Sequence, residues 1–262
     1  MESKKLNPIQ LVQEEQYIFP YHYIPDCSNS SFSQVKHWSW GHHYLGGIEV
    51  VMNLCDEKQW GSLLDIGCGD GRFISELHKK KSNKVLTGYD YSERAINMAK
   101  ALNPQIDYKQ INILDDDQND DNLRQYDVVT LIEVVEHINP IDLPKFIEKA
   151  IHYIKPGGRL ILTVPHLNKS ISNKHFQHFN SVTLETLLSG HFSDLKMSFI
   201  DKNSRILQLL LNLLGGKGNK YIITEPKLNN LFYKFYRNRY LYCNNENECG
   251  RIAVVAENKS YE

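Results

Sequence analysis

Glycines and carboxylates alternate in one short stretch of the sequence, residues 64–71 (LDIGCGDG). Glycine permits a tight turn and lets backbone N–H groups approach a ligand closely. The carboxylates of Asp65 and Asp70 would repel a pyrophosphate, whereas they suit a ligand that carries positive charge. The residue types and their spacing therefore predict a binding loop for a small cationic ligand.

A further acidic position supports a nucleoside as part of that ligand. Asp90 closes a predicted strand at residues 84–89, where a carboxylate can accept hydrogen bonds from both hydroxyls of a ribose. This contact suits NAD and S-adenosylmethionine equally. The acidic glycine loop favours S-adenosylmethionine, because its amine and sulfonium groups are cationic. A generic turn between a strand and a helix is the alternative, and it explains the loop and Asp90 less well.

Two carboxylates and an imidazole follow a later buried strand, residues 126–132. In a helical turn, Glu133, Glu136 and His137 share one face, because residues i, i+3 and i+4 are neighbours. The three side chains could bind a divalent cation, or His137 alone could act as a general base. In a third interpretation, Glu136 pairs locally and His137 simply borders the pocket.

Short apolar runs alternate with amphipathic stretches from residue 62 onward, which is typical of β-α-β units in a parallel sheet. The predicted strands are residues 62–66, 84–89, 108–113, 126–132 and 159–164, with residues 251–256 as a last, edge strand. At 262 residues, the chain is long enough for one α/β domain with additions. We expect a doubly wound, Rossmann-like α/β fold with a mostly parallel, seven-stranded sheet and helices on both faces.

The predicted segments are an N-terminal cap (1–50), the core (51–198), a helical insertion (199–248), and a final core strand with the tail (249–262). The cap is rich in aromatic residues, and its Tyr21-His22-Tyr23 either contacts ligand or packs in the core. The insertion carries leucines and aromatics. These predict core packing, a homodimer face, or an amphipathic surface for a lipid-linked or glycan acceptor.

The composition of the chain restricts its possible binding partners and its cellular compartment. The formal net charge is −1, so no global charge attracts nucleic acid, although basic residues around Lys234 keep RNA among the alternatives. The five cysteines form no CxxC pair and the N-terminus leads into no apolar signal region, which favours a cytoplasmic protein. The longest apolar run, residues 206–214, is too short to span a membrane but could rest on its surface.

The sequence resembles the class I S-adenosylmethionine-dependent methyltransferase superfamily. The resemblance covers about residues 60–195 and rests on residues 64–71, 88–90 (GYD), 126–129 (YDVV) and 155–158 (KPGG) with the apolar strand that follows. It implies that the glycine loop holds the methionine moiety, that Asp90 holds the ribose, and that Asn112-Ile113 lie near adenine. The residues predicted to bind the cofactor are Asp65, Gly67, Cys68, Gly69, Asp90, Tyr91, Asn112, Ile113 and Glu133.

The Glu-x-x-Glu-His segment that ends at His137 is similar to a motif of two magnesium-carrying groups. These are the ubiquinone-pathway O-methyltransferases and the small-RNA 3′-terminal 2′-O-methyltransferases. The resemblance implies Mg²⁺ as a second cofactor, with Glu133, Glu136, His137 and His178 as ligands and His175 and His166 as nearby competitors. Residues 164–166 (VPH) depart from the Thr-Pro-Asn pattern of the RNA group.

Three functions stay open at this point. The first is methyl transfer to a hydroxyl of a small molecule or a glycan, with His137 as the catalytic residue nearest the acceptor. The second is a metal-dependent methyltransferase for the terminal ribose of RNA. The third is a non-catalytic module that retains the fold and binds the cofactor.

Overall fold

The computed structural model describes residues 7–16, 25–28, 31–34, 38–115, 124–215 and 225–258. The helices are α1 (Pro8–Gln16), α2 (Trp38–Cys55), α3 (Arg72–Lys80), α4 (Glu93–Leu102), α5 (Leu143–Ile151), α6 (Ser181–Leu188), α7 (Arg205–Gly215) and α8 (Pro226–Arg239). The strands are β1 (Pro25–Ser28), β2 (Ser31–Gln34), β3 (Ser62–Ile66), β4 (Val85–Asp90), β5 (Asp107–Gln110), β6 (Tyr126–Ile132), β7 (Ile154–Pro165), β8 (Phe192–Lys202) and β9 (Cys249–Asn258). Strands β1 and β2 form a hairpin, and the others form the central sheet.

The strand order of the central sheet is β5-β4-β3-β6-β7-β9-β8. Neighbouring strands from β5 to β7 are parallel, and β9 runs antiparallel to both β7 and β8. The chain moves outward from β3 to β5, returns to β6, and then moves outward in the other direction. The switch point therefore lies between β3 and β6, where open α/β sheets bind ligands beyond the carboxyl ends of the strands.

Helices cover both faces of the sheet, because alternate strand residues point to opposite sides. Leu63 and Val128 belong to an apolar cluster with residues of α2, α3, α4, α7 and α8. Leu64 and Val129 belong to a second cluster with residues of α5 and α6. All four strand side chains are fully buried, as expected for a parallel sheet covered on both faces. The predicted seven-stranded, mostly parallel sheet with helices on both faces is confirmed.

The edge of the sheet differs from the prediction. Residues 251–256 do not form an edge strand, because β9 lies between β7 and β8, and β8 is the edge. Strand β8 is partly exposed, so its sequence (FSDLKMSFIDK) lacks the continuous apolar run of the inner strands. Residues 199–202 belong to β8, and the helices of the predicted 199–248 insertion begin only at Arg205.

The predicted N-terminal cap and the core share helix α2. This helix crosses the predicted boundary at residue 50, and its Val50 and Val51 are buried in the core. The Tyr21-His22-Tyr23 group of the predicted cap lies outside the described residues. Within the described ranges, no helix combines the length and the apolar character that crossing a bilayer requires.

Candidate active site

A cavity of about 740 Å³ lies at the switch point of the sheet. Every residue that the sequence predicted for cofactor binding, metal binding or catalysis lines this cavity. These residues are Asp65, Gly67, Cys68, Gly69, Asp90, Tyr91, Asn112, Ile113, Glu133, Glu136, His137 and His178. Further parts of the wall come from α1, α2, the segment after β7, and Arg251 of β9.

The loop between β3 and α3 follows a path that requires glycine at position 67. The φ angle of Gly67 is 76°, and an added Cβ would lie 2.5 Å from Cγ2 of Val134. The backbone N–H groups of Gly67 and Cys68 donate to the carbonyl oxygen of Tyr89 at 2.7 and 3.0 Å. These hydrogen bonds hold the loop against the end of β4, beside the cavity.

The carboxylate of Asp90 joins the glycine loop to the start of α4. Its Oδ2 accepts a hydrogen bond from the N–H of Gly69, and its Oδ1 accepts one from the N–H of Ser92, both at 2.9 Å. Burial raises the pKa of Asp90 to about 6, although these two hydrogen bonds act in the opposite direction. Because a carboxylate oxygen can accept more than one hydrogen bond, Asp90 retains acceptor capacity for ribose hydroxyls.

Asp65 is a second buried carboxyl group on the wall of the cavity. The hydroxyl of Thr130 donates to its Oδ1 at 2.6 Å. Burial raises the pKa of Asp65 to about 7; the hydrogen bond from Thr130 opposes this rise, and Asp90 adds to it. A cationic ligand would stabilise the ionised form of both carboxyl groups. The residues present therefore fit the amine and sulfonium of S-adenosylmethionine better than the pyrophosphate of a dinucleotide.

Helix α1 and the segment after β5 border the same part of the cavity. The hydroxyl of Tyr91 donates to Oε1 of Gln13 in α1 at 3.3 Å. The side chain of Asn112 donates to Asp115 at 2.8 Å and accepts from the N–H of Leu114 at 3.3 Å. Asn112 thus holds the local turn with its own side chain, and one of its amide hydrogens remains for a ligand.

The imidazole of His137 is held in one tautomer. Its Nδ1 lies 2.8 Å from the carbonyl oxygen of Lys174, which can only accept, so Nδ1 carries the hydrogen and Nε2 is an acceptor. Burial lowers the pKa of His137 to about 4. At neutral pH the imidazole is therefore uncharged and able to accept a proton.

Two further histidines form a chain of hydrogen bonds next to His137. Nδ1 of His178 donates to the carbonyl oxygen of Lys169 at 3.0 Å, so Nε2 of His178 accepts the 2.8 Å hydrogen bond from Nδ1 of His175. Nε2 of His175 is consequently an acceptor. The rings of His137 and His175 meet edge to face, with centroids 4.8 Å apart. Burial and the imidazole of His137 lower the pKa of His175 to about 3.

Glu136, His137 and His175 form a group of potential metal ligands, with one ligand atom from each residue within 4.8 Å of the others. Glu136 is completely buried, and its carboxyl oxygens have no hydrogen-bond partner among the described residues. Burial, together with the charge of Glu133, raises the pKa of Glu136 well above its usual value. Two imidazoles and one carboxylate suit zinc or manganese better than magnesium, which prefers oxygen ligands.

This group differs from the predicted ligand set in two residues. Nε2 of His178 is engaged with His175, which takes the place predicted for His178. The Oε2 of Glu133 lies 3.6 Å from Nε of Arg251, and the φ angle of Glu133 is 55°, which turns the backbone sharply after β6. The donor set, one carboxylate and two imidazoles, therefore differs from the predicted set of two carboxylates and two imidazoles.

An ionic network around the buried Asp201, beside the cavity, was not predicted from the sequence. Asp201 accepts hydrogen bonds from His43 and, at 2.6 Å, from Nζ of Lys169, while Nε of Arg251 lies between Glu133 and Asp201 at 3.6 and 3.8 Å. Burial alone would raise the pKa of Asp201, but His43 and Lys169 hold it well below its usual value. One feature of the sequence could have indicated this network: Arg251, a charged residue, directly precedes the apolar run of β9.

Known proteins resemble this chain in sequence. A protein family with the description "Methyltransferase domain" matches residues 41–195. The ubiquinone biosynthesis O-methyltransferase of Vibrio vulnificus is 28% identical over 132 residues, which cover 49% of this chain and 53% of the relative. That of Idiomarina loihiensis is 35% identical over 134 residues, which cover 49% and 50%. The chain therefore matches about half the length of these curated relatives.

A solved structure resembles this chain in fold. The N-methyltransferase NodS from Bradyrhizobium japonicum WM9, in complex with S-adenosyl-L-homocysteine, matches with a TM-score of 0.58. The match covers 96% of this chain and 99% of NodS, at 13% sequence identity. At this identity the likeness concerns the fold alone.

Proposed function

Because the chain belongs to the methyltransferase-domain family and is a class I S-adenosylmethionine-dependent methyltransferase, we propose that it methylates a hydroxyl of a small molecule or a glycan. The observation that carries this proposal is the tautomer of His137, whose Nε2 is an acceptor on the wall of the cavity. A hydroxyl must lose its proton when its oxygen is methylated, so an unprotonated imidazole suits this acceptor. As the chain is an enzyme, the non-catalytic alternative is not retained.

For the residues predicted to bind the cofactor, we propose the following roles. Asp65 and the glycine loop would hold the methionine part, Asp90 the ribose, and the Asn112-Ile113 segment the adenine. Tyr91 and Glu133 would border the bound molecule. S-adenosylmethionine, when bound, supplies a methyl group on a positively charged sulfur. The carboxylates of Asp65 and Asp90 would stabilise the cationic cofactor in this pocket.

In the proposed reaction, His137 moves the proton of the acceptor. S-adenosylmethionine, when bound, would supply the methyl group and leave as S-adenosylhomocysteine, and Nε2 of His137 would accept the proton that the acceptor hydroxyl loses. The carbonyl oxygen of Lys174 keeps the ring oriented through Nδ1–H. The imidazolium then loses its proton to solvent, which its lowered pKa of about 4 favours.

The names of two relatives support oxygen as the acceptor atom. Both are called O-methyltransferases, and the alignment with each covers 49% of this chain. Because these alignments span about half of each relative, they support the class of reaction rather than one substrate.

Metal-dependent transfer to a terminal ribose hydroxyl of RNA is the second candidate. The grouping of Glu136, His137 and His175 favours it, since a cation held there would acidify a hydroxyl. Lys169, Lys174 and Arg251 also line the cavity and would attract a phosphate backbone.

Methyl transfer from labelled S-adenosylmethionine separates the two candidates. We would offer the protein catechol, phenol, an aromatic amine, an oligosaccharide and a short RNA, each with and without added Mn²⁺. We expect label in a hydroxyl compound without metal, and a decrease of about a hundredfold in the His137→Gln variant, which still binds S-adenosylhomocysteine. The matched control is His152→Gln, which changes an exposed histidine on α5's C-terminal side.

The same experiment can contradict the proposal. Label that enters only RNA, and only with metal, would support the second candidate. Label on an amine, with none on any oxygen acceptor, would overturn O-methylation while leaving the methyltransferase assignment intact.

A further inference from the structure

Helix α7 carries apolar side chains on two opposite faces. Leu207 and Leu211 are buried in the core. Ile206, Leu209 and Leu213 form a second stripe with spacing i, i+3 and i+7, and they are 66%, 68% and 76% exposed. A helix that is apolar all round is normally covered on each face, so this exposed stripe is suited to contact a partner.

Helix α8 also carries exposed apolar side chains, Leu228 and Leu231. We call Ile206, Leu209, Leu213, Leu228 and Leu231 the α7–α8 surface. The aromatic side chains of α8 do not contribute to it, because Phe232, Tyr233 and Tyr236 are buried. The exposed apolar groups of both helices are therefore aliphatic.

The segment that carries this surface is strongly basic. Residues 202–245 contain eight lysines and arginines and a single acidic residue, Glu225, which makes a formal charge of +7 in a chain whose net charge is −1. Among the described residues of this segment, Arg205, Lys227, Lys234 and Arg239 are exposed. Apolar side chains beside cations are the combination that binds anionic lipid surfaces.

We propose that the α7–α8 surface docks the protein on an anionic lipid membrane. The aliphatic side chains would enter the boundary between head groups and acyl chains, while the basic residues contact lipid phosphates. A second copy of the chain fits less well, since it would bring two basic surfaces together. Nucleic acid also fits less well, because base stacking requires exposed aromatic rings, whereas those of α8 are buried or, at Phe235, partly buried.

The two helices that carry this surface pack on a helix that also lines the cavity. Helices α7 and α8 both pack on α2, and Tyr44, Gly47 and Ile48 of α2 line the cavity. Phe232 of α8 meets His42 of α2 with ring centroids 4.7 Å apart, which ties the two helices together. A membrane-bound enzyme of this kind would suit an acceptor that is anchored in the bilayer. This inference about the acceptor rests on the proposed methyl transfer.

Flotation with lipid vesicles tests the proposal on the 262-residue chain. We expect the protein to float with vesicles of mixed phosphatidylcholine and phosphatidylglycerol, and to remain in the bottom fraction with vesicles of phosphatidylcholine alone. The double variant Leu209→Ser/Leu213→Ser should reduce the bound fraction about tenfold, because two apolar side chains are lost. The double variant Lys227→Gln/Lys234→Gln should also reduce the bound fraction at low salt, and its binding should depend less on the salt concentration, because fewer cations contact the lipid phosphates.

A matched control removes an exposed apolar side chain elsewhere. Ile141→Ser alters a residue that is 86% exposed before α5, and it should float like the unchanged protein. Binding of S-adenosylhomocysteine by every variant checks that it is folded. This readout also separates a failure of membrane docking from a failure of the proposed methyl transfer.

Two results would overturn the proposal. The first is no flotation with anionic vesicles. In that case, tight binding of a polyuridine RNA would indicate nucleic acid as the occupant, and a dimer in sedimentation that Leu209→Ser/Leu213→Ser dissociates would indicate a second copy of the chain. The second is equal flotation of the unchanged protein and the leucine variant.

Discussion

The backbone N–H of Gly69 donates a 2.9 Å hydrogen bond to Oδ2 of Asp90, so one buried carboxylate holds the loop after β3 and the end of β4 together. The two residues are 21 positions apart in the chain. The residue proposed to bind the ribose thereby also positions the loop proposed to bind the methionine part. Loss of this carboxylate should affect the loop and the ligand at once.

Replacement of Asp90 by alanine tests that coupling. We expect Asp90→Ala to weaken binding of S-adenosylhomocysteine at least about a hundredfold and to lower the free energy of unfolding by about 2 kcal/mol, since two backbone N–H groups lose a charged acceptor. Calorimetric titration and urea unfolding measure the two effects. Asp107→Ala, which removes an exposed carboxylate from β5, is the control. If Asp90→Ala bound S-adenosylhomocysteine with wild-type affinity, Asp90 would have no role in ligand binding.

Alanine substitutions at two glycines with similar backbone angles distinguish the cost of backbone strain from the cost of steric crowding. The φ angles of Gly67 and Gly157 are 76° and 71°, but only at Gly67 would a Cβ meet a neighbouring side chain within 4 Å. Gly157→Ala should lower the free energy of unfolding by about 1 kcal/mol, because L-residues rarely adopt such angles. Gly67→Ala should cost more and abolish cofactor binding. Equal effects on unfolding would show that the contact with Val134 is relieved without cost.

Binding of S-adenosylmethionine should strengthen as the pH rises through the range in which Asp65 and Asp90 ionise. Burial raises their pKa values to about 7 and about 6, and the cationic ligand binds the ionised forms. Acidification by about two pH units below this range should weaken binding about tenfold or more, with protons released on binding at neutral pH. Titration in buffers of different ionisation enthalpy measures both effects. Asp65→Asn should flatten the profile, and an unchanged slope would exclude Asp65 as its source.

The low pKa of His137 should make the fold sensitive to acid. The imidazole is uncharged in the folded protein down to about pH 4, whereas the unfolded chain takes up the proton near its usual value of 6.5. The contribution is therefore complete above about pH 6.5 and is lost as the pH falls toward about 4. In the His137→Gln variant, the decrease in the free energy of unfolding on acidification should be smaller by on the order of 3 kcal/mol. Unfolding experiments at several pH values measure this decrease. His152→Gln, at an exposed position, should leave the loss unchanged.

Removal of divalent cations tests the metal group at Glu136, His137 and His175. If His137 acts as the general base, EDTA should leave methyl transfer to the hydroxyl acceptor unchanged. Loss of activity with EDTA, restored by Mn²⁺ in the unchanged protein but not in Glu136→Gln, would instead support a metal enzyme. His191→Gln, outside the cavity lining, is the matched control.

Sequence and structure differ most at the edge of the sheet and in the histidine group. Alternating apolar runs predicted the inner strands, because inner strands are covered on both faces. Strand β8 escaped prediction, since a partly exposed edge strand carries polar residues that break the pattern. The choice of His175 over His178 depends on the hydrogen bond from His178 to the carbonyl oxygen of Lys169, which no spacing rule reveals.

The sequence by itself determined the class of fold, the glycine loop, Asp90 and the Glu-x-x-Glu-His segment, because each depends on neighbours within one strand–turn–helix unit. Only the tertiary structure decided which distant groups meet. Glu133 lies beside Arg251 at the switch of the sheet, and Asp201 gathers His43 and Lys169, because strand register and helix packing bring together positions far apart in the chain. Such contacts follow from the arrangement of the whole sheet rather than from any local pattern.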